Sequence, residues 1–135
     1  APVNDRGQAG GAIDALCQFL SQDPKSPVLR HTRKTEDVDG VIDVRAVFQQ
    51  GFRDIEHGEM PSFLKPYKGK LGLMDYEKVF CADLKRGTDI FAMRGIDRQK
   101  GCMVVVRPDQ YIAQVLPLNA YDTLSAFFAG FLLTV

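Results

Sequence analysis

Tryptophan is absent from this chain of 135 residues, and histidine and cysteine are scarce, with two and three copies. The cysteines, Cys17, Cys81 and Cys102, are odd in number and widely spaced. That pattern excludes a disulfide framework and a zinc knuckle, and it suits a reducing, cytoplasmic setting. His31 and His57 stand on separate stretches, neither at a spacing that gathers metal ligands on one helix face. An excess of charge is missing too: 17 basic residues meet 17 acidic ones, so no global field draws the chain to nucleic acid or to an anionic membrane. No apolar run reaches the roughly 18 residues of a membrane span. The C-terminal stretch from Leu124 to Val135 is short and broken by Ser125, Gly130 and Thr134.

What is present is an ordinary globular composition, 45% hydrophobic and 25% charged, which argues against disorder and fibrous repeats. A chain of this size buries roughly two-thirds of the surface its unfolded form exposes, enough for one core. A single domain over residues 1–135 is therefore expected. The opening Ala1-Pro2-Val3-Asn4-Asp5 carries neither an initiator Met nor a signal-peptide pattern, which points to a piece of a longer protein.

Ala12, Ile13, Leu16, Phe19 and Leu20 fall on one helical face closed by Asp23-Pro24, which predicts a helix over 12–22. Residues 25–40 are polar and broken by Pro27. The basic group Arg30, His31, Arg33 and Lys34 runs into Glu36, Asp37 and Asp39, which reads as a solvated loop and not as a phosphate patch. Residues 41–48 alternate, with Ile42, Val44, Ala46 and Phe48 on one face and Asp43 and Arg45 on the other, as a strand does. Residues 49–73 hold so much Gly and Pro that they read as an irregular excursion, with a helical turn at Pro61-Ser62-Phe63-Leu64. A strand over 76–81 follows, then a short helix over 89–94 capped by Thr88 or Asp89 and stopped by Gly95. Cys102 to Val106 is a continuous apolar run, as in a strand covered on both faces. Arg107-Pro108-Asp109-Gln110 supplies a turn and Tyr111 to Leu116 a returning strand, which makes 102–116 a β-hairpin. A last helix, capped by Asn119, carries Leu124, Phe127, Phe128 and Phe131 at i, i+3, i+4 and i+7.

Few residues offer chemistry. Gly7-Gln8-Ala9-Gly10-Gly11 precedes a helix as a phosphate-cradling loop would, yet it lacks the dinucleotide fingerprint, the Walker lysine and a preceding strand. Cys81 and Cys102 sit in strand-like runs where a thiolate is desolvated, and Cys17 lies mid-helix, away from the helpful end of the dipole. No catalytic, cofactor-binding or metal residue is nominated. Arg107, Pro108, Asp109 and Gln110 are assigned a structural turn. Phe127, Phe128 and Phe131 are the candidate interface, with core packing the equally weighted competing role.

At residues 94–116, and above all in Val104-Val105-Val106-Arg107-Pro108-Asp109-Gln110-Tyr111, the sequence resembles the C-terminal domain of the phenol 2-monooxygenase family of flavin-dependent aromatic hydroxylases. Val41 to Phe48, Asp75 to Cys81 and Phe127 to Phe131 extend the likeness along nearly the whole chain. The resemblance implies an α/β, thioredoxin-like domain without a redox Cys-x-x-Cys, its mixed sheet ending in a hairpin plus helix. It implies a domain that helps hold a homodimer together. The parent would hydroxylate a phenol with FAD, NADPH and oxygen in upstream domains, through a flavin hydroperoxide. Two departures stand out. The first strand of such a domain is missing from this chain, and Gln110 replaces the Gly often found after Pro-Asp, so the turn must keep Gln110 at negative φ or tolerate a modest cost. The rival reading is a stand-alone thiol redox module, a thioredoxin or peroxiredoxin relative using Cys17, Cys81 or Cys102.

Overall fold

A computed structural model describes residues 4–82 and 90–135 of the chain. They form a mixed α/β fold with small sheets and a C-terminal helix. Helix α1 runs from Ala12 to Gln22 and buries Ile13, Leu16, Cys17, Phe19 and Leu20, the face its apolar spacing predicts. It ends where Asp23 turns to extended backbone.

A second helix, α2 (Pro27–His31), occupies part of the expected solvated loop. Its signal was local: Ser26 at the N-cap, with Leu29 N–H directed at its hydroxyl, and Pro27 where a missing N–H costs nothing. Ser26 is fully buried, and its hydroxyl donates to the Leu20 carbonyl at 2.6 Å, which folds α2 back against α1.

Strand β1 (Ala46–Phe48) is shorter than the 41–48 reading, although the expected alternation persists in burial: Ile42, Val44 and Ala46 pack against the core while Val41, Asp43 and Arg45 are exposed. The excursion contains three 3-10 turns, one at Ser62–Leu64 as expected, and a small hairpin of β2 (Tyr67–Lys68) and β3 (Leu73–Met74). Strand β4 (Val79–Cys81) then pairs with β1 in parallel, Val47 opposite Phe80, so residues 49–78 serve as the long crossover that parallel strands require. Helix α3 (Ile90–Met93) is followed by Gly95 at φ +63, the left-handed stop that the sequence predicts. Its expected caps, Thr88 and Asp89, lie outside the described residues.

Strands β5 (Met103–Val106) and β6 (Ile112–Leu116) form the antiparallel hairpin. Helix α4 (Tyr121–Ala129) begins after Ala120 without a side-chain cap. Asn119 is not its cap, because its backbone carbonyl accepts from Tyr121 N–H and places it outside the first turn. Phe19 stacks on Tyr121 with centroids 4.5 Å apart, and Ser125 donates to the Lys25 carbonyl at 2.7 Å, so α4 is bound to the C-terminal half of α1 and to the turn that leads into α2.

The core gathers α1, Val28, Phe48, Met60, Leu64, Leu116, Leu118, Leu124 and Phe128. Among the described residues β1–β4, β2–β3 and β5–β6 are separate pairs, and no described strand pairs with both β1 and β5. The expectation of a strand covered on both faces at 102–106 needs correction. The run at 103–106 is covered on one face only. Met103 and Val105 pack on the core, whereas Val104 and Val106 are 42% and 52% exposed.

Candidate functional site

The glycine-rich entry is built as a helix cap and not as a phosphate cradle. Buried Asp5 accepts Gly7 N–H at 2.8 Å and, through its other oxygen, Ile13 N–H at 2.9 Å in the first turn of α1. Asp14 accepts Gly10 N–H at 3.0 Å. Two carboxylates thus already meet the positive end of the helix, where an incoming phosphate would be repelled. Gly7 itself holds φ +81, a conformation that strains other residues, and a Cβ there would also stand 2.8 Å from the Met60 sulfur and push that side chain aside.

The cysteines are no better placed for chemistry. Burial pushes the Cys17 thiol up to about 12, and Asp14 and Asp5 add to the effect. Burial also raises the Cys81 and Cys102 thiols. At neutral pH all three favour the unreactive thiol. This is the physical ground against the thiol redox module. Buried His31 donates from Nδ1 to the Leu133 carbonyl at 2.8 Å, and Val135 N–H reaches the Arg30 carbonyl at 2.9 Å, so α2 holds the last residues of the chain. His57 lies near the Tyr76 ring, 6.0 Å between centroids. Among the described residues, no group of three or more His, Cys, Asp and Glu side chains is arranged to hold a metal ion. None of the described helices is long and apolar enough to cross a membrane.

The most concentrated electrostatics belong to residues the sequence reading did not single out. Lys78 is only 3% exposed, and its ammonium donates to both Asp39 and Asp43, with Asp75 4.0 Å away. Lys68 bridges Asp39 at 2.8 Å and Asp75 at 3.1 Å. Burial pushes the Asp39 and Asp43 carboxyls up, but hydrogen bonds and charge outweigh it: Lys68 and Lys78 for Asp39, Lys78 and Arg45 for Asp43. Both end below the usual carboxylate value. Asp75 is also lowered, first by Glu77 N–H and then by Lys68, while Asp39 and Asp75 raise the Lys68 ammonium. The network ties the 37–43 segment and the β2–β3 hairpin to the entrance of β4. Its charges neutralise one another within the cluster, which marks it as a clamp. Sequence separations of up to 39 residues kept it from view.

Residues 107–110 lie between β5 and β6. Gln110 N–H donates to the Arg107 carbonyl at 2.9 Å, with Pro108 at the second position, and Arg107 N–H closes the loop on the Tyr111 carbonyl at 2.8 Å. Arg107 also bridges Asp109 at 2.7 Å. Of the two outcomes open to Gln110, the chain takes the costlier one, φ +74, the position that glycine fills in hairpins with a bulge after the turn.

Three relationships place this geometry. The family model described as phenol hydroxylase, C-terminal dimerisation domain, matches residues 2–135. A 3-hydroxybenzoate 4-monooxygenase from Comamonas testosteroni is 51% identical over 98% of this chain, and the match covers 21% of that protein. The FAD-dependent monooxygenase terD of Aspergillus terreus is 29% identical over 78% of the chain, covering 18% of its own length. The chain belongs to the phenol hydroxylase C-terminal dimerisation domain family. It spans about a fifth of the length of the curated relatives it matches.

For a dimerisation domain the pertinent feature is surface. The aromatic stripe divides, and α4 ends at Ala129, short of its last member: Phe128 is 9% exposed and belongs to the core, Phe127 is half-buried, and Phe131, past the helix, is 61% exposed. The three rings contact one another at centroid distances of 5.2 to 5.8 Å. Phe128 therefore has little surface to give a partner. The glycine-rich helix start, which would invite a dinucleotide phosphate, is already met by Asp5.

Proposed function

We propose that this chain is the non-catalytic C-terminal assembly domain of an FAD-dependent, NADPH-using aromatic hydroxylase of the phenol type. Ring hydroxylation would take place in upstream FAD and substrate domains of the same parent. The observation that carries this reading is the match of residues 2–135 to a dimerisation domain, in a chain covering only 21% of its monooxygenase relative. Asp5 at the α1 N-terminus and the raised thiols support the non-catalytic part. A cytoplasmic homodimer without nucleic-acid or membrane partners accords with the free thiols and the balanced charge.

The same reading assigns a thioredoxin-like scaffold to a single domain over 1–135. The β1–β4 pair and the β5–β6 hairpin share one core without bonding to each other, and a strand from another segment of the parent would join them. Arg107, Pro108, Asp109 and Gln110 act as the structural turn. Phe131, with the edge of Phe127, is what remains of the aromatic stripe for contact.

The test is to purify the chain, measure flavin absorbance, and assay phenol-dependent NADPH oxidation with added FAD. Neither is expected, and retained flavin or turnover would overturn the proposal.

A further inference from the structure

Antiparallel hairpins with one solvated face alternate apolar and polar residues. Hairpin β5–β6 does not. Val104 lies opposite Val115 and Val106 opposite Ile112, on the face turned away from the core. These side chains are 42%, 58%, 52% and 53% exposed, with Tyr111 at 70% beside them. Met103, Val105 and Leu116 supply what the core needs from the opposite face. The outward set thus has no packing role within the described chain, although all four of its members are apolar.

We infer that this outward face of the hairpin is the centre of the contact with a second copy of the chain, an inference that rests on the dimerisation reading above. The family description names the occupant class, and the face suits it physically. A two-fold axis near the Val104–Val115 pair lays the same patch on itself, as a C2 interface requires. Branched side chains lose little rotamer freedom on burial. At the hairpin tip, Arg107 and Asp109 present both charge signs, so a copy meets no excess of like charge at that rim. Five side chains fall short of the roughly 800 Å² per partner in a standard interface, so the patch forms its centre and further residues its periphery. Phe131 stands two residues beyond the end of α4, on a different part of the chain from the hairpin. Its contribution is therefore separable.

Sedimentation equilibrium on the full 135-residue chain, its Val115→Lys variant and its Phe131→Asp variant tests this, with circular dichroism and thermal melting as the control for folding. The inference expects a self-associating parent chain, a dissociation constant raised at least about tenfold by Val115→Lys with the fold intact, and a smaller rise from Phe131→Asp, which belongs to the periphery. Should a lysine disturb the hairpin, Val115→Thr keeps the shape and is expected to weaken pairing severalfold. A dimer unaffected by either substitution at 115 overturns the hairpin assignment and leaves the dimerisation reading standing. Monomers at every concentration overturn both.

Discussion

Replacing Lys78 with Met removes the ammonium from the clamp while keeping a side chain of similar length. Breaking a buried ion pair by deleting one partner costs roughly 3–5 kcal/mol, because the other charge is left uncompensated. Here the penalty is smaller for two reasons: Lys68 remains 2.8 Å from Asp39, and the Asp43 side chain is 44% exposed and keeps Arg45 at 3.1 Å. A loss of about 2 kcal/mol is expected. With a urea m-value of about 2 kcal/mol/M for a chain of this size, the unfolding midpoint falls by about 1 M at neutral pH. The pH dependence carries a second signature. Asp39 and Asp43 are held below the ordinary 3.8 in the folded chain, so their stabilisation is fully present above that value and is lost as pH falls through the folded values. Lys78→Met should flatten that acid limb. The Lys68→Met, Lys78→Met double variant should lose more than the sum of the singles, since each lysine backs up the other at Asp39. A midpoint shift equivalent to under about 0.5 kcal/mol would class the cluster with ordinary surface ion pairs and not with a buried clamp.

Asp5→Ala should cost about 1–2 kcal/mol in a thermal or urea melt, because it strands the N–H groups of Gly7 and Ile13; a neutral result would show that water caps α1 equally well. Gln110→Gly should stabilise by about 0.5 kcal/mol, the relief of a positive φ offset by glycine's unfolded-state entropy, whereas a loss would mean that the Gln side chain contributes more than its strain. In alkylation with a thiol reagent near neutral pH, all three cysteines should react slowly and Cys17 slowest; fast labelling of Cys17 would contradict its raised pKa and revive the redox alternative.

What the sequence made legible was local. Helix α1 matched its reading because the apolar spacing, the glycines before it and Asp23-Pro24 after it all agree. The hairpin was equally plain, down to the turn at Pro108, since adjacent strands and their turn are contiguous in the chain. Residues 41–45 were readable in burial but not in hydrogen bonding: their alternation is that of a strand, yet pairing with β4 begins only at Ala46. The Ser26-Pro27 start of α2 is ambiguous in sequence, because Pro marks both helix beginnings and helix ends. The Lys78 clamp was beyond local reading altogether, since a lone lysine in a strand pattern says nothing about three aspartates brought to it by the crossover. The core role of Phe128 against the exposure of Phe131 likewise depends on where α4 docks, which helical periodicity alone does not fix.

The proposed role has these residues join two chains while the flavin stays with the rest of the parent. Sedimentation equilibrium of the chain with added FAD, followed in both the protein and the flavin absorption bands, tests it most directly. The expected result is a mass approaching twice the 15.0 kDa of one chain, with the flavin distributed as a free small molecule. Flavin sedimenting with the protein, or a mass of one chain at every concentration, would contradict it.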